Sequence, residues 1–575
     1  MQNTVPPWAQ GSARRWANSS EAVVLSDMGQ CVPAGALSPR LKHGRWKVIP
    51  YETVDKVAGN MIWASALTDA PEVRLALGAA GWHAIFVGVF STSEVPSRVW
   101  VKLDGDPAAV LRSNDSSHGY GNIADLFFKV ARLDGETLVI RQQYPAGASA
   151  CGVAYVKLVP LSAEEIRAFV ADGSDKSTRR MAATNDGFSW MFYHRPTTEE
   201  SLLSQAELFR GTDFGTLLLH SAGADKVAYR SAHGHNPGLD MDDFPRPGDR
   251  NYVESIRQFA AKGINPLRSL IDGAHKAGLK VHVGIRPAGW SFFEPYAEFW
   301  ETPFYLEHPE WRCVDRDGTP VTRMSWAVPQ VRRHLIELLG EMVGFGADGA
   351  HIVFNRGFPF VLYEAPFVEM FRKRFRVDPR QIEEADPRIT ELRADIAACF
   401  LRELRAALEN ERRTRADGKR LEISAMVLGN EEDNLLYGLD LRRLAAESLL
   451  DEIYIYPWDF GGNRGEYDFS FFREICTPRR VPFFPSINTG YLAGNELIRQ
   501  AMSFYEEGAA GITVFDAEAI AEAPDLGRWL DVSRFGHLDE MRARADSCAP
   551  EVEYATFHRL GSQIRDGRFG PYWGG

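Results

Sequence analysis

The chain has 575 residues, more than one ordinary domain holds, so two or more domains are expected. Its net charge of −12 and pI of about 5.7 exclude the strongly basic face that a nucleic-acid or anionic-membrane partner favours. Hydrophobic residues at 45% and charged residues at 25% are ordinary for a globular chain, and no apolar run reaches the length of a membrane span.

Residues 1–20 (MQNTVPPWAQGSARRWANSS) have no apolar segment, so they read as a flexible arm and not as a signal peptide. A cytoplasmic protein is therefore expected. The six cysteines are scattered, with no Cys-x-x-Cys, and read as reduced thiols.

From 21 to 165 the texture is β. WHAIFVGVF (82–90), SRVWVKL (97–103), DLFFKVARL (125–133), ETLVIRQQ (136–143) and VAYVKLVPL (153–161) are short, rich in β-branched and aromatic residues, and separated by turn formers. Such spacing predicts an all-β sandwich. A polar helical linker follows over 162–180.

From 180 to 545 strands and helices alternate. Eight strand segments stand out: FSWMFY (188–193), TLLLH (216–220), LKVHVGIR (279–286), AHIVFNR (350–356), EISAMVL (422–428), DEIYIYP (451–457), VPFFPSI (481–487) and GITVFD (511–516). Before the fourth and the eighth, a helical segment runs into a Gly-bearing turn, the usual helix-to-strand junction. The pattern predicts an α/β fold, a TIM (β/α)8 barrel preceded by the sandwich. A doubly wound sheet would show a Gly-rich phosphate loop after its first strand, and HRPTTEES is not one. The tail over 546–575, rich in Gly, Arg and aromatics, is left to pack on the barrel, the sandwich or a partner subunit.

In such barrels the site lies at the carboxyl ends of the strands. The residues there are His220, with His233 and His235 in the following loop; Arg286 and Trp290; Asn355, Arg356, Tyr363 and Glu364; Glu432 in GNEEDN; Tyr456, Trp458 and Asp459; Asn488; and Asp516. Acids, amides and indoles around one mouth suit a polyhydroxylated ligand, because amides and acids pair with hydroxyls and aromatic faces stack on sugar rings. Singly, each has a plainer reading. Strand-end acids cap helices, buried aromatics fill cores, and Arg286 or Arg356 could pair with neighbouring acids instead of an anionic substrate group.

Glycoside cleavage needs two carboxyl groups. Glu364, Glu432, Asp459 and Asp516 are the expected catalytic set, with His220, His233, His235, Arg286, Trp290, Asn355, Arg356, Tyr363, Tyr456, Trp458 and Asn488 expected to bind substrate. Glu364 follows an aromatic loop that would raise its pKa, or else it opens the helix after it. The His233-x-His235 pair has metal-ligand spacing but sits in a Gly, Asn and Pro loop, so no metal and no cofactor is expected.

Three stretches carry a resemblance: GADGAHIVFNRGFPFVLYEAPFVEMFRKRFRVDPR, GNEEDNLLYGLDLRRLAAESLLDEIYIYP and EEGAAGITVFD. The barrel resembles the family 10 glycosyl hydrolase-like proteins, and the N-terminal part looks like a carbohydrate-binding-module-like sandwich. The resemblance implies a carbohydrate-active enzyme with a (β/α)8 barrel and hands over no catalytic pair. Strand four ends in Asn-Arg and strand seven in Asn488, without the carboxylates many glycosidases carry there. A glycoside hydrolase acting on oligosaccharides or glycosides is the leading expectation, with a slight lean towards inversion. A lyase, isomerase or transglycosylase, and a non-catalytic carbohydrate-binding barrel, are the alternatives. The expected partner is a carbohydrate substrate, with no nucleic acid and no membrane; a homo-oligomer is left open.

Overall fold

The computed structural model describes residues 9, 12, 15–16, 19–65, 68–91, 96–114, 121–142, 150–287, 289–457, 466–487, 494–517, 526–545, 554–561 and 563–564. Among these, no helix is long and apolar enough to cross a membrane.

Strands from Val23–Leu25 to Ala150–Pro160 join a mostly antiparallel 14-stranded sheet. The strand Ala80–Ser91 runs along both Asn122–Asp134 and Ala150–Pro160, and these three build its centre. Strand Ser97–Leu103 shows the period of two that a one-sided core imposes: Ser97, Val99, Val101 and Leu103 are buried, while Arg98, Trp100 and Lys102 are half-exposed. The C-terminal tail adds to this sheet. Tyr554–Ala555 pairs with Asn122–Asp134, and Phe557–Leu560 pairs with Trp46–Thr53. Phe557 is buried edge-on against Tyr51 and Phe90, so apolar packing holds the tail there.

The helix Ala163–Ser174 leads to the second part, opened by a Ser162–Glu165 capping box. Arg534 and His537 hold its Asp172 from the far end of the chain.

The second part is a closed barrel of eight parallel strands, numbered here β1 Met181–Asn185, β2 Phe214–Gly223, β3 Lys280–Arg286, β4 Gly349–Val353, β5 Glu422–Val427, β6 Glu452–Ile455, β7 Phe483–Ile487 and β8 Thr513–Val514. Closure comes from β1, which pairs with β2 on one side and with β8 on the other. The junctions before β4 and β8 contain Gly346 and Gly508 at φ 115 and 89, a region that suits glycine because it has no Cβ to clash.

Seven of the expected strands fall where the sequence puts them. The first does not: FSWMFY forms a turn and the short helix Met191–His194, and β1 is the preceding MAATN. Asp186 explains the difference. Its carboxylate accepts hydrogen bonds from the backbone N–H groups of Phe188 and Ser189, which bends the chain before the aromatic run begins.

Inside the barrel, apolar and polar layers stack. Ala182, Leu218, Val353, Met426 and Tyr454 form one apolar cluster, with Tyr456, Phe484 and Phe515 packed against it. Towards the amino ends of the strands the filling is polar. Lys280 bridges Glu422 and Glu452, Tyr454 donates to Glu452, and His282 contacts Glu422 and Ser424.

Candidate active site at the mouth of the barrel

Four charged side chains meet at the carboxyl ends of the strands. Asp186 follows β1, Arg286 ends β3, Arg356 lies in a single helical turn after β4, and Asp516 follows β8. Asp186 is set by its own turn: Oδ1 accepts from the N–H groups of Phe188 (3.1 Å) and Ser189 (2.8 Å), and Oδ2 from the Ser189 hydroxyl. Asp516 is set by its backbone, at φ 48, with its N–H donating to Thr184 Oγ1 of β1 at 2.8 Å. Arg286 stands between the two acids, with Nη1 3.7 Å from Asp186 Oδ2 and Nη2 3.9 Å from Asp516 Oδ1. These are ion-pair separations beyond hydrogen-bond length, so Arg286 faces both acids without closing on either. Its Nε and the Asp516 Oδ1 are buried with no hydrogen-bond partner among the described residues. Arg356 lies over the Phe515 ring at 5.0 Å, and Tyr456 packs against that ring at 4.8 Å.

Beneath them lies His220. The pairing of β2 with β3 shifts between Leu219 and Ala222, and this bulge carries His220 and Ser221. Bulges re-aim side chains beside sites. His220 is fully buried, tilted against Phe515, and stacked on His351 of β4. Neither of its ring nitrogens has a hydrogen-bond partner among the described residues. His351 Nδ1 lies 2.8 Å from Ser424 Oγ, which lies 2.8 Å from His282 Nδ1, and His282 Nε2 lies 3.0 Å from Glu422 Oε2.

The electrostatics follow from burial and neighbours. Burial raises the Asp516 carboxyl above its ordinary value; Arg286 pulls it back, and the Asp186 charge pushes it up again. Burial, reinforced by Arg286, lowers the Arg356 guanidinium. Burial holds His220 and His351 neutral, well below the usual imidazole range. At the amino end of the barrel, the His282 and Lys280 partners lower Glu422 to about 2.

The cluster thus gathers His220, Arg286, Arg356, Tyr456 and Asp516 from the residues read in the sequence, with Asn355 buried in the same turn as Arg356. Others lie elsewhere. Glu364 is buried at the start of helix Ala365–Phe375, and accepts from the Ser325 hydroxyl and the N–H groups of Leu362 and Val314. Burial raises its pKa, as expected, and its partners Val314 and Ser325 belong to the loop hairpin Arg312–Met324 and the residue after it. Tyr363 is buried beside it, with Arg393 over its ring. Glu432 is exposed in the first turn of helix Glu431–Leu436. His233 is exposed and faces Glu337 on the outer helix Pro329–Gly344. His235 pairs through its backbone with Asp225 and Val227. Trp290 is fully buried under Phe304 and His334, leaving no open face for a sugar ring. Trp458, Asp459 and Asn488 lie outside the described residues.

Asp186 is the residue the sequence reading missed. Placing β1 at 188–193 put the strand end at Tyr193-His194-Arg195 and passed over the Asn-Asp-Gly turn at 185–187, a turn signal directly after MAAT.

Among the described residues, two groups have donor atoms close enough to share a metal ion: His282, Glu422 and Glu452, and Asp172, His537 and Glu540. In each, a basic side chain already sits on the carboxylates, Lys280 in the first and Arg534 in the second.

No protein-family model and no curated protein matches the chain. Among solved structures it is similar to the catalytic domain of β-amylase from Paenibacillus polymyxa, at 10% identity over 63% of this chain and 98% of that one, with a TM-score of 0.41. It is similar to the PgaB (BpsB) glycoside hydrolase domain from Bordetella bronchiseptica, at 14% identity over 62% and 98%, with a TM-score of 0.37. It is also similar to α-galactosidase from Thermus thermophilus, at 12% identity over 83% and 89%, with a TM-score of 0.32. Likenesses this distant carry no functional argument, and the barrel rests on its own strand pairings.

Proposed function

We propose that the chain is a glycoside hydrolase of the family 10-like kind, cleaving glycosidic bonds in oligosaccharides or glycosides, with Asp516 as the proton donor and Asp186 as the base or nucleophile. The observation that carries this reading is the pair of unlike carboxyl groups facing one guanidinium at the barrel mouth. Glycoside cleavage divides labour between a carboxyl that holds its proton and a carboxylate that does not, and contrasting environments assign the roles. Asp516 has the raised pKa of the acid. Asp186 accepts three hydrogen bonds from its own turn, which fix the direction of its carboxylate as a base or nucleophile requires.

Arg286 orients both acids and stabilises negative charge. Tyr456 and Phe515 form an apolar wall, and Trp458, Asp459 and Asn488, which come after β6 and β7 in the chain, are kept as expected substrate contacts. In this reading Glu364 anchors the loop hairpin and Glu432 faces solvent. The N-terminal sheet is taken as a carbohydrate-binding-module-like sandwich, supported by its alternating burial, and the protein as a cytoplasmic one.

The test is turnover of a panel of aryl glycosides and oligosaccharides by wild type, Asp516→Asn, Asp186→Asn and Asp459→Asn. General acid–base catalysis is worth about 10²–10⁴-fold, so Asp516→Asn should lose that much of kcat/KM. Full turnover in both Asp516→Asn and Asp186→Asn would defeat the assignment. One observation favours a second reading, a binding barrel without catalysis: both Asp186 oxygens are already engaged by Phe188 and Ser189. Oligosaccharide bound tightly and recovered intact would support it.

A further inference from the structure

We propose that the substrate is a chain of several sugar units, and that units remote from the cleaved bond stack on Phe292 and Phe293. The proposal rests on the glycosidase reading and narrows its substrate class to extended glycans. Among the described residues three aromatic rings are exposed, Tyr193 at 64%, Phe292 at 44% and Phe293 at 67%. Tyr193 lies on the loop after β1, and the two phenylalanines lie on the loop after β3. Asp186 follows the first of these strands and Arg286 ends the second. Scattered apolar side chains on a surface need no explanation, but neighbouring exposed rings on strand-end loops do.

The exposed rings are packed in a continuous strip with the turn that holds Asp186. Asp186 Oδ1 accepts from the Phe188 N–H at 3.1 Å. The Phe188 ring contacts Trp300 at 6.3 Å, Trp300 contacts Phe292 at 5.8 Å, and Phe292 stacks on Phe293 at 5.0 Å. Behind the strip, Phe192 stacks on both Trp300 and Tyr252, and Arg246 lies over Phe192 and Tyr296. The strip thus connects the candidate base to the exposed rings through three ring contacts. A chain entering at the carboxyl ends of the strands, where barrel substrates bind, comes within reach of them.

The loop holds its rings in place. The Ser291 hydroxyl donates to Glu301 across the base of the loop, and the Tyr296 N–H donates to the Phe293 carbonyl oxygen at 2.9 Å, closing a turn. Tyr296 meets both phenylalanines edge-on, Phe292 at 6.3 Å and Phe293 at 5.4 Å. Rings braced in this way lose little freedom when a ligand settles on them, so more of the contact energy reaches the affinity. A phenyl ring offers an apolar face and no hydrogen bond, and the matching surface of a glycan is the C–H face of a sugar ring. Two adjacent rings offer more face than one sugar covers, which is why the occupant is a chain.

Direct binding tests this without relying on turnover. Maltohexaose, cellohexaose, xylohexaose and chitohexaose, each beside its disaccharide, would be titrated by calorimetry into wild type, Phe292→Ala, Phe293→Ala, the double variant and Phe293→Trp. The sugars would be recovered afterwards and analysed for cleavage. At least one hexaose should bind wild type about tenfold more tightly than its disaccharide, from the strength of two stacking contacts. That gain should shrink in each single variant, fall to about twofold or less in the double variant, and be kept in Phe293→Trp, which preserves the aromatic face. Both side chains are exposed, so their removal should leave thermal unfolding unchanged, and the disaccharide affinity serves as the internal control. Hexaoses that bind no more tightly than their disaccharides, no binding of any, or a gain that survives in the double variant would overturn the proposal. So would a wild-type dimer in sedimentation that the double variant dissociates, because the rings would then belong to a second copy of the chain. Hydrolysis that is indifferent to chain length would sink this proposal and leave the glycosidase reading intact. Hexaose-selective binding without hydrolysis would do the reverse.

Discussion

His220 lies flat on His351, with ring centroids 5.1 Å apart and planes 5° from parallel, one polar layer below the charged mouth. Two neutral imidazoles stacked inside a barrel depend on their neighbours. Gly284 makes room: a Cβ there would stand 2.7 Å from the His351 carbonyl oxygen and 3.0 Å from its Cβ. Ser424 links His351 to His282, which donates through Nε2–H to Glu422. In the neutral form His282 then accepts from the Ser424 hydroxyl, and Ser424 accepts from His351 Nδ1–H. That chain leaves His351 Nε2 as a bare acceptor.

Ser424→Ala should strip two buried imidazole nitrogens of their partner and cost about 1–3 kcal/mol. Denaturant unfolding measures the loss, and a stability equal to wild type would show that the chain of hydrogen bonds is not formed. The ¹⁵N shifts of His351 should report the Nδ1–H tautomer in wild type and a mixture in Ser424→Ala. Gly284→Ala should cost about 1–3 kcal/mol by overpacking against His351.

The pH profile should single out Asp516. Burial raises its pKa, and Arg286 lowers it. If Asp516 donates the proton, the alkaline limb of kcat/KM follows its ionisation in the free enzyme. Removing the positive charge in Arg286→Gln disfavours that ionisation, so the limb should move to higher pH while the maximum rate falls. A limb that stays in place or moves down would assign the proton to another group.

Glu364 should prove structural. Glu364→Ala leaves the Ser325 hydroxyl and the Leu362 and Val314 N–H groups unpaired, at about 1–3 kcal/mol, with kcat/KM on any cleaved glycoside within about twofold of wild type. Because burial raises its folded pKa, the folded state binds more protons than the unfolded state between the two values. Its contribution is therefore present below about pH 4.3, the ordinary carboxylate value, and is lost as pH rises towards the raised one. Glu364→Gln should remove that slope from a pH series of unfolding midpoints.

His537 should make the join between helix Ala163–Ser174 and the barrel pH-dependent. Burial lowers its pKa, but hydrogen bonds to Asp172 and Asp213 more than offset this and raise it to about 9; Arg534 opposes them. With the folded value above the unfolded 6.5, the stabilisation is complete below about pH 6.5 and is lost as pH rises through about 9. Wild type and His537→Gln should therefore differ in unfolding midpoint at pH 6 and converge near pH 10, roughly a unit past the folded value.

Much of the barrel was legible from local pattern. Short apolar runs marked β2 to β8, with Gly-closed helices before β4 and β8, because strands buried on both sides must be apolar throughout. Arg286, Arg356, Tyr456 and Asp516 could be named from their places at strand ends. Strand β1 was not legible. MAATN carries small, weakly apolar residues, while the aromatic FSWMFY just after it imitates a strand; the local Asp186 turn settles the matter, and its Asn-Asp-Gly signal is outweighed in sequence by the aromatic run. The error at β1 hid Asp186, and with it the partner of Asp516.

What the sequence determined by itself was the alternation of strand and helix, the all-β region before it, and the polar residues at strand ends, since each depends on neighbours within a few positions. What only the tertiary structure decided was which of those ends meet. Glu364, Trp290 and His233 look as functional in sequence as Asp516, but one is sealed in a loop hairpin, one lies under Phe304 and one faces an outer helix. Asp186 and Asp516 are 330 residues apart, by subtraction of their numbers, and face the same guanidinium because β1 closes the barrel against β8. Closure is a long-range pairing, and no local pattern encodes it.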